Sequence, residues 1–155
     1  MTIDIRKMAI LMIFLHSSLS ASSLTFLVDT RDEMPRGDME IDQHTAVVSF
    51  ENGVMDTLFD EGHIFFNIYT VLGDSDAGKA DEKALEYAGD EGANFLLVLT
   101  PDDQGAAWTL YKVENPELTA NGYVDLSRTD PEKKTPERWT SLGILLADEL
   151  MDNVR

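Results

Sequence analysis

The chain has 155 residues, and its 29 acidic residues outnumber 12 basic ones, which gives a formal net charge of −17 at pH 7. Binding to nucleic acid or to an anionic membrane surface depends on clustered lysine and arginine, and no basic run is longer than Lys133-Lys134. Because the chain has no cysteine, it can form neither a disulfide nor a lipid-modified amino terminus. These features exclude a nucleic-acid-binding protein, a disulfide scaffold and a lipoprotein.

Residues 1–23 have the three zones of a secretory signal peptide. Arg6 and Lys7 precede the apolar run MAILMIFL, and the small polar stretch HSSLSASS follows it. The apolar run has about eight residues, whereas a membrane-spanning helix needs about 20. We therefore predict cleavage between Ala21 and Leu24, a periplasmic or secreted location, and no stable membrane insertion after processing.

Residues 24–155 are predicted to form a single globular α/β domain that begins with a buried strand, LTFLVDT (24–30). The next segment, 43–62, is ambiguous, because its AVVSF stretch alone is typical of a strand. A helical period of about 100° per residue favours a helix, since it collects the apolar side chains on one face. This face comprises Val47, Phe50, Val54 and Leu58, is flanked by Val48, Met55 and Phe59, and is interrupted by Glu51 and Gly53. We expect Asp42 to cap the helix and Gly62, in a left-handed conformation, to end it.

Three further elements follow in the middle of the chain. HIFFNIYTVL (63–72) has the aromatic and β-branched composition of a strand, and we expect it at the centre of the sheet. KADEKALEYAG (79–89) predicts a short helix that ends at Gly89 or Gly92. ANFLLVLTP (93–101) is nearly continuous apolar sequence, which indicates a strand covered on both faces.

The last third of the chain adds a hairpin and a helix. AAWTLYKV (106–113) is predicted to be the second arm of a hairpin, and GYVDLSR (122–128) an optional edge strand. Thr135-Pro136 is typical of a helix start, and four apolar residues follow at helical spacing, namely Trp139, Leu142, Leu146 and Leu150. The predicted fold class is therefore α/β, with a mixed sheet of four to five strands, three helices and the order β-α-β-α-β-β-(β)-α.

The turn GDSDAG (73–78) places Ser75 in the order Gly-Asp-Ser, in which one class of esterases presents its nucleophile. A nucleophilic serine needs a nearby base, and those esterases carry an Asp-x-x-His pair near the carboxyl end. Here the three histidines, at positions 16, 44 and 63, all precede Ser75. We interpret Ser75 as a turn former and helix cap, with a small serine hydrolase that uses Ser75 as the alternative.

Several acidic and histidine residues are candidates for metal binding. Asp74-x-Asp76-x-Gly78 starts like a calcium loop but lacks the glycine and the acid expected at its sixth and twelfth positions. The loop 31–42 could bind a divalent ion, so an acidic ion-responsive protein is a second alternative; its acids are Asp32, Glu33, Asp38, Glu40 and Asp42. His44 and His63 could bind zinc only together with carboxylate ligands. A cationic His63 would interact favourably with the negative end of the helix dipole at the end of the first helix. No glycine-rich phosphate loop occurs, and we predict no catalytic, cofactor-binding or metal-binding residue.

Five segments together resemble a family of bacterial envelope domains: LTFLVDTR, TLFDEGHIFFN, AGDEGANFLLVLT, WTLYKV and LGILLADELMDNV. The family includes the TolB amino-terminal domain, the CsgG-like domains and the activators of penicillin-binding proteins. Residues 92–97, Gly-Ala-Asn-Phe-Leu-Leu, look like the family's Gly-Ala-Asp-Tyr-Leu-Leu, with Asn94 in place of the usual acid. The resemblance implies a non-enzymatic interaction domain. Its expected partner is an envelope protein or a glycan, bound through a sheet edge or a helix groove.

Overall fold

The computed structural model describes residues 23–33, 35–72 and 77–154. Ser75 and all of the predicted signal peptide except Ser23 lie outside the described residues. The described chain contains five strands and three helices in the order β-α-β-α-β-β-β-α, which confirms the predicted fold class.

The secondary-structure elements have the following bounds. The strands are β1 (Thr25–Asp32), β2 (Ile64–Val71), β3 (Phe95–Asp102), β4 (Gly105–Lys112) and β5 (Glu117–Asp125). The helices are α1 (Ile41–Asp60), α2 (Ala77–Asp90) and α3 (Thr135–Val154). Short 3₁₀ turns at Arg36–Asp38 and Leu126–Arg128 precede α1 and α3.

The strands form one mixed sheet in the order β2-β1-β3-β4-β5. β1 pairs in parallel with β2 and β3, whereas β3, β4 and β5 are antiparallel neighbours. The prediction that β2 lies at the centre is therefore wrong, because β2 is an edge strand. Aromatic and β-branched residues fit any pleated, half-buried surface, so their presence does not reveal how many neighbours a strand has.

The ambiguous segment is a helix, α1, and its predicted apolar face is buried at Val47, Phe50, Val54 and Leu58. The helix begins two residues earlier than predicted, so Asp42 lies in its first turn and Glu40 occupies the cap position. Gly62 has a φ of +85°, as expected for a glycine that ends a helix. Phe59 is 69% exposed, because it lies on the flank of the apolar face in the last turn.

Helices cover both faces of the sheet, but they do so unequally. α1 and α3 pack on one face, where their buried side chains meet Phe26 and Val28 of β1 and Leu97 and Leu99 of β3. Of the described elements, α2 alone covers the opposite face, where two alanines pack in a cluster with small and branched side chains; the cluster contains Ala84, Ala88, Leu27, Leu96 and Val98. The core on the α2 side is therefore much smaller.

The remaining predicted elements differ from the structure mainly at their ends. α2 extends over Gly89, and Gly92, with a φ of +70°, follows it. β5 begins at Glu117 rather than Gly122, and Leu126–Arg128 forms a 3₁₀ turn rather than a strand. In α3 the four predicted apolar residues are buried. Among the described residues, no helix is both long and apolar enough to span a bilayer.

Candidate functional site

A cleft with a volume of about 720 Å³ lies at the carboxyl ends of β1 and β3. The chain leaves β1 through α1 on one face of the sheet and reaches β3 through α2 on the other. The connections thus diverge at this point of the sheet. In open α/β sheets, ligands bind in the crevice that such a divergence creates outside the strand ends. The topology therefore marks this cleft as the candidate binding site.

The rim of the cleft is acidic. Carboxylates come from the end of β1, the start of α1 and the end of β3, and they are Asp32, Glu33, Glu40, Asp42, Asp102 and Asp103. Arg31 is the one basic residue in the described lining, and its guanidinium is bound to Asp29 and Asp81. The rim therefore presents a concentration of negative charge to a ligand.

The floor of the cleft is apolar. It is formed by side chains of α1, α3, the end of β3 and neighbouring turns: Ala46, Val47, Leu72, Pro101, Leu126 and Trp139. The Trp139 ring is only 8% exposed and meets Phe50 edge to face, with 6.2 Å between the ring centroids. The floor can bury an apolar group, but Trp139 does not offer its ring face as a platform for stacking.

Asp102 has a structural role at the rim. Its Oδ1 accepts hydrogen bonds from the backbone N–H groups of Gln104 (2.7 Å) and Gly105 (3.0 Å) and from the Tyr123 hydroxyl (3.0 Å). Burial and the bond to Asp102 raise the pKa of Tyr123. Asp102 therefore holds the turn between β3 and β4, whereas the exposed Asp103 takes no part in these bonds.

The segment 31–42 is shorter as a loop than predicted, because Arg31 and Asp32 belong to β1 and Ile41 and Asp42 to α1. Four of its five acids reach the rim, and Asp38 lies outside the lining. Within the described part of the chain, however, no three His, Cys, Asp or Glu residues are arranged to hold a metal ion. His44 and His63 lie near opposite ends of α1, roughly 25 Å apart at the rise of an α-helix, so they cannot share a zinc ion. Asp74 and Asp76 of the calcium-like pattern are outside the described residues.

His63 connects the end of α1 to the start of β1. Its backbone N–H donates to the Leu58 carbonyl (3.0 Å), and its Nδ1 accepts from the Leu24 backbone N–H (3.3 Å). The imidazole also packs against Phe26, with 5.7 Å between the ring centroids. These contacts give His63 a structural role at the junction between α1 and β1.

A salt bridge explains why α1 tolerates Glu51 in its buried face. Glu51 is 4% exposed and accepts a hydrogen bond from the guanidinium of Arg36. The same guanidinium lies 4.1 Å from the centroid of the Tyr69 ring. Burial and the charge of Asp32 raise the pKa of Tyr69, although Arg36 opposes this effect. These contacts fasten the loop 31–42 to α1 and β2, and so position the acids that the loop contributes to the rim.

A buried polar network, which was not predicted from the sequence, lies on the α2 face of the sheet. Asp29 is fully buried, accepts from Arg31 Nε (2.8 Å) and accepts from the Thr70 hydroxyl (2.6 Å). Arg31 Nη1 lies 2.5 Å from Asp81 Oδ1, and the Tyr111 hydroxyl donates to Asp81 Oδ2 over 3.0 Å. The network therefore joins β1, β2, β4 and α2.

The electrostatics of this network are those of a stable structural element. Burial lowers the pKa of Arg31, but the hydrogen bonds and charges of Asp29 and Asp81 outweigh it, and the pKa is raised. Burial and the bond to Asp81 raise the pKa of Tyr111. Arg31 thus remains charged, and Tyr111 keeps its proton, across the physiological pH range.

No protein-family model matches the chain, and no curated protein matches it at a significant level. The resemblance to bacterial envelope domains thus stays a prediction. The cleft and the exposed surfaces of the molecule therefore carry the information about its function.

Proposed function

We propose that this chain is an exported, non-enzymatic interaction domain of the bacterial cell envelope, whose cleft binds a basic segment of a partner protein. The observation that carries the proposal is the combination of six rim carboxylates with an apolar floor at the carboxyl ends of β1 and β3. A pocket with an apolar lining and convergent polar groups is the site at which a ligand is expected.

The charge and the shape of the cleft select the chemistry of the ligand. Lysine or arginine side chains can reach the exposed rim carboxylates, and an apolar side chain between them can bury itself against Val47 and Leu126. A single exposed ion pair contributes only about 0.2–1 kcal/mol, so several pairs and the apolar contact have to act together. The net charge of −17 also attracts a basic partner from a distance.

The lining favours a protein ligand over a glycan or a reacting substrate. Sugar rings commonly stack on exposed aromatic faces, and Trp139 is almost completely covered. The polar side chains of the described lining are six carboxylates, Arg31, Gln43 and two threonines, Thr100 and Thr135, and they include no serine, cysteine, histidine or lysine. These side chains suit binding of a cation better than nucleophilic catalysis.

The export part of the proposal rests on residues 1–23. β1 begins at Thr25, directly after the predicted cleavage region. Cleavage between Ala21 and Leu24 therefore leaves β1 complete. Intact-mass measurement of the protein from periplasmic and culture fractions tests this, and an uncleaved chain confined to the cytoplasm would contradict it.

Binding can be tested with a synthetic peptide in which lysine pairs flank a pair of leucines. We expect it to bind at low ionic strength and to bind more weakly as salt screens the charges. The double variant Asp42→Asn/Asp103→Asn removes two rim charges and spares the structural Asp102. It should bind about threefold to tenfold more weakly.

The matched control is Glu86→Gln/Asp90→Asn, which changes the net charge equally at exposed positions of α2, on the other face of the sheet. It should bind the peptide almost as well as the wild type does. Equal weakening in both double variants would mean that only the net charge attracts the peptide, and the cleft would be rejected as the site.

A further inference from the structure

The two edge strands of the sheet, β2 and β5, differ in how well they are protected against pairing with a further strand. β5 carries Glu117 and Asp125, and its pairing with β4 is interrupted by an irregularity at Leu110/Tyr111. β2, with the sequence IFFNIYTV, has no charge and no proline, and it pairs with β1 in continuous register. Edge strands commonly avoid association through charges, proline or bulges. β2 has none of these features, although the chain is rich in charge.

The backbone of β2 offers hydrogen bonds on its outer side. The Ile64 N–H donates to the Leu24 carbonyl (2.9 Å), and the Leu72 N–H donates to the Asp32 carbonyl (2.8 Å). Because N–H groups alternate in direction along a strand, those of Phe65, Asn67 and Val71 point away from β1. No other strand of the described chain lies on that side.

The first half of β2 is also apolar and exposed on the α2 face of the sheet. Ile64 is 53% exposed and Phe66 is 42% exposed, although both belong to a strand of the sheet. Phe66 is in register with Leu27 of β1, whose side chain is buried in the cluster that contains the α2 alanines. The α2-side cluster therefore reaches β2 only at Ile68, and Ile64 and Phe66 remain available to a partner.

We propose that β2 docks an extended segment of a partner protein, which adds a sixth strand to the sheet. The centre of this partner strand is uncharged, with apolar residues alternating so that they cover Ile64 and Phe66. The ends of the partner strand carry lysine or arginine, because acidic residues flank both ends of β2. Asp60 and Glu61 precede β2, and Asp32 and Glu33 lie beside its carboxyl end, where Asp32 is in register with Val71. This mode of recognition combines backbone hydrogen bonds with side-chain pockets.

Charge argues for such a partner and against a second copy of this chain. If two β2 strands paired in antiparallel fashion, Asp60 and Glu61 of each copy would approach the acidic carboxyl end of the other. Parallel pairing would bring identical acidic ends together. Like charges in contact oppose association, whereas basic strand ends are attracted at both ends of β2.

The test uses the full chain and a synthetic peptide of alternating valine and threonine with two lysines at each end. Asn67→Pro removes an outward N–H and leaves the hydrogen bonds to β1 intact. It should weaken binding of this peptide by about tenfold or more.

Asn67→Ala is the matched control, because it removes the same side chain but keeps the N–H, and it should bind normally. Should Asn67→Pro fail to fold, Phe66→Lys at an exposed position provides the second variant and should also weaken binding.

Two comparisons separate this surface from the cleft and from self-association. Asp42→Asn/Asp103→Asn should bind the valine-threonine peptide normally, and a peptide with glutamate ends should not bind. The proposal would be overturned if the lysine-ended peptide bound equally well to the wild type and to Asn67→Pro. It would also be overturned if the lysine-ended and glutamate-ended peptides bound equally well to the wild type. A wild-type dimer in sedimentation that Asn67→Pro converts to a monomer would overturn it too, since a second copy would then occupy β2.

Discussion

Gly53 of α1 and Gly143 of α3 lie against each other where the two helices cross. A Cβ placed on Gly53 would be 2.2 Å from the Thr140 carbonyl oxygen, and one placed on Gly143 would be 2.2 Å from the Phe50 carbonyl oxygen. Both contacts are with backbone, which cannot move aside as a flexible side chain can. The interruption at Gly53 in the apolar face of α1 is therefore the site of closest approach between the helices.

The substitution Gly143→Ala should destabilise the fold. Overpacking should cost about 1–3 kcal/mol, and the better helix propensity of alanine offsets it by no more than about 1 kcal/mol. Gly89→Ala in α2 is the control, because its Cβ would meet only Val113 Cγ1, at 3.9 Å. Urea unfolding should show a lower free energy of unfolding for Gly143→Ala and a slightly higher one for Gly89→Ala. Equal stabilities of the two variants would contradict the close crossing.

The salt bridge between Arg36 and Glu51 gives the second prediction. Arg36→Met leaves the carboxylate of Glu51 buried without its partner, and we expect a loss of about 2 kcal/mol, since Arg36 is partly exposed and solvent can reach the site. The double variant Arg36→Met/Glu51→Leu removes the buried charge as well. It should be more stable than Arg36→Met alone, as measured by denaturant unfolding. If the double variant is the less stable of the two, Glu51 is not held in place by Arg36.

The helical period of the sequence was sufficient to predict α1, because four apolar residues at helical spacing outweighed a short strand-like stretch. The position of β2 could not be predicted in the same way, since composition does not record which strands are neighbours. The acids of the loop 31–42 were identified as candidates. Asp102 and Asp103 could be assigned to the same site only from the strand order, which places the end of β3 beside the end of β1.

The buried network around Asp29 and Arg31 could be predicted only in part from the sequence. Asp29 and Arg31 are two residues apart in β1 and so point to the same face of the sheet, and this signal was present in the sequence. Their partner Asp81 belongs to α2, 50 residues further along the chain than Arg31. The contact depends on how α2 crosses the sheet, which local patterns do not specify.

The two neighbouring rim acids at the end of β3, Asp102 and Asp103, should differ in their effect on stability. Asp102→Ala removes the acceptor of two hydrogen bonds in the β3–β4 turn and of one from Tyr123 of β5, and it should cost about 1–3 kcal/mol. Asp103→Ala changes an exposed residue and should stay within about 0.5 kcal/mol of the wild type. Thermal and urea unfolding of both variants tests the distinction. A large loss for Asp103→Ala would show that the rim charge itself stabilises the fold.

Tyr111 should make the stability of the protein depend on pH in the alkaline range. Its pKa is raised in the folded state by burial and by the hydrogen bond to Asp81, so the fold retains the hydroxyl proton more tightly than the unfolded chain does. This stabilisation is fully present below the ordinary tyrosine pKa of about 10 and is lost as the pH rises through the raised value.

Tyr111→Phe removes both the hydrogen bond and this dependence on pH. The variant should be about 1 kcal/mol less stable than the wild type near pH 8, and the difference should shrink as the pH approaches 11. Tyr87→Phe, at an exposed position on α2, is the matched control for removing a tyrosine hydroxyl. Denaturant unfolding at several pH values between these limits measures the effect. A difference between Tyr111→Phe and wild type that stays constant with pH would show that the proton of Tyr111 does not contribute through Asp81.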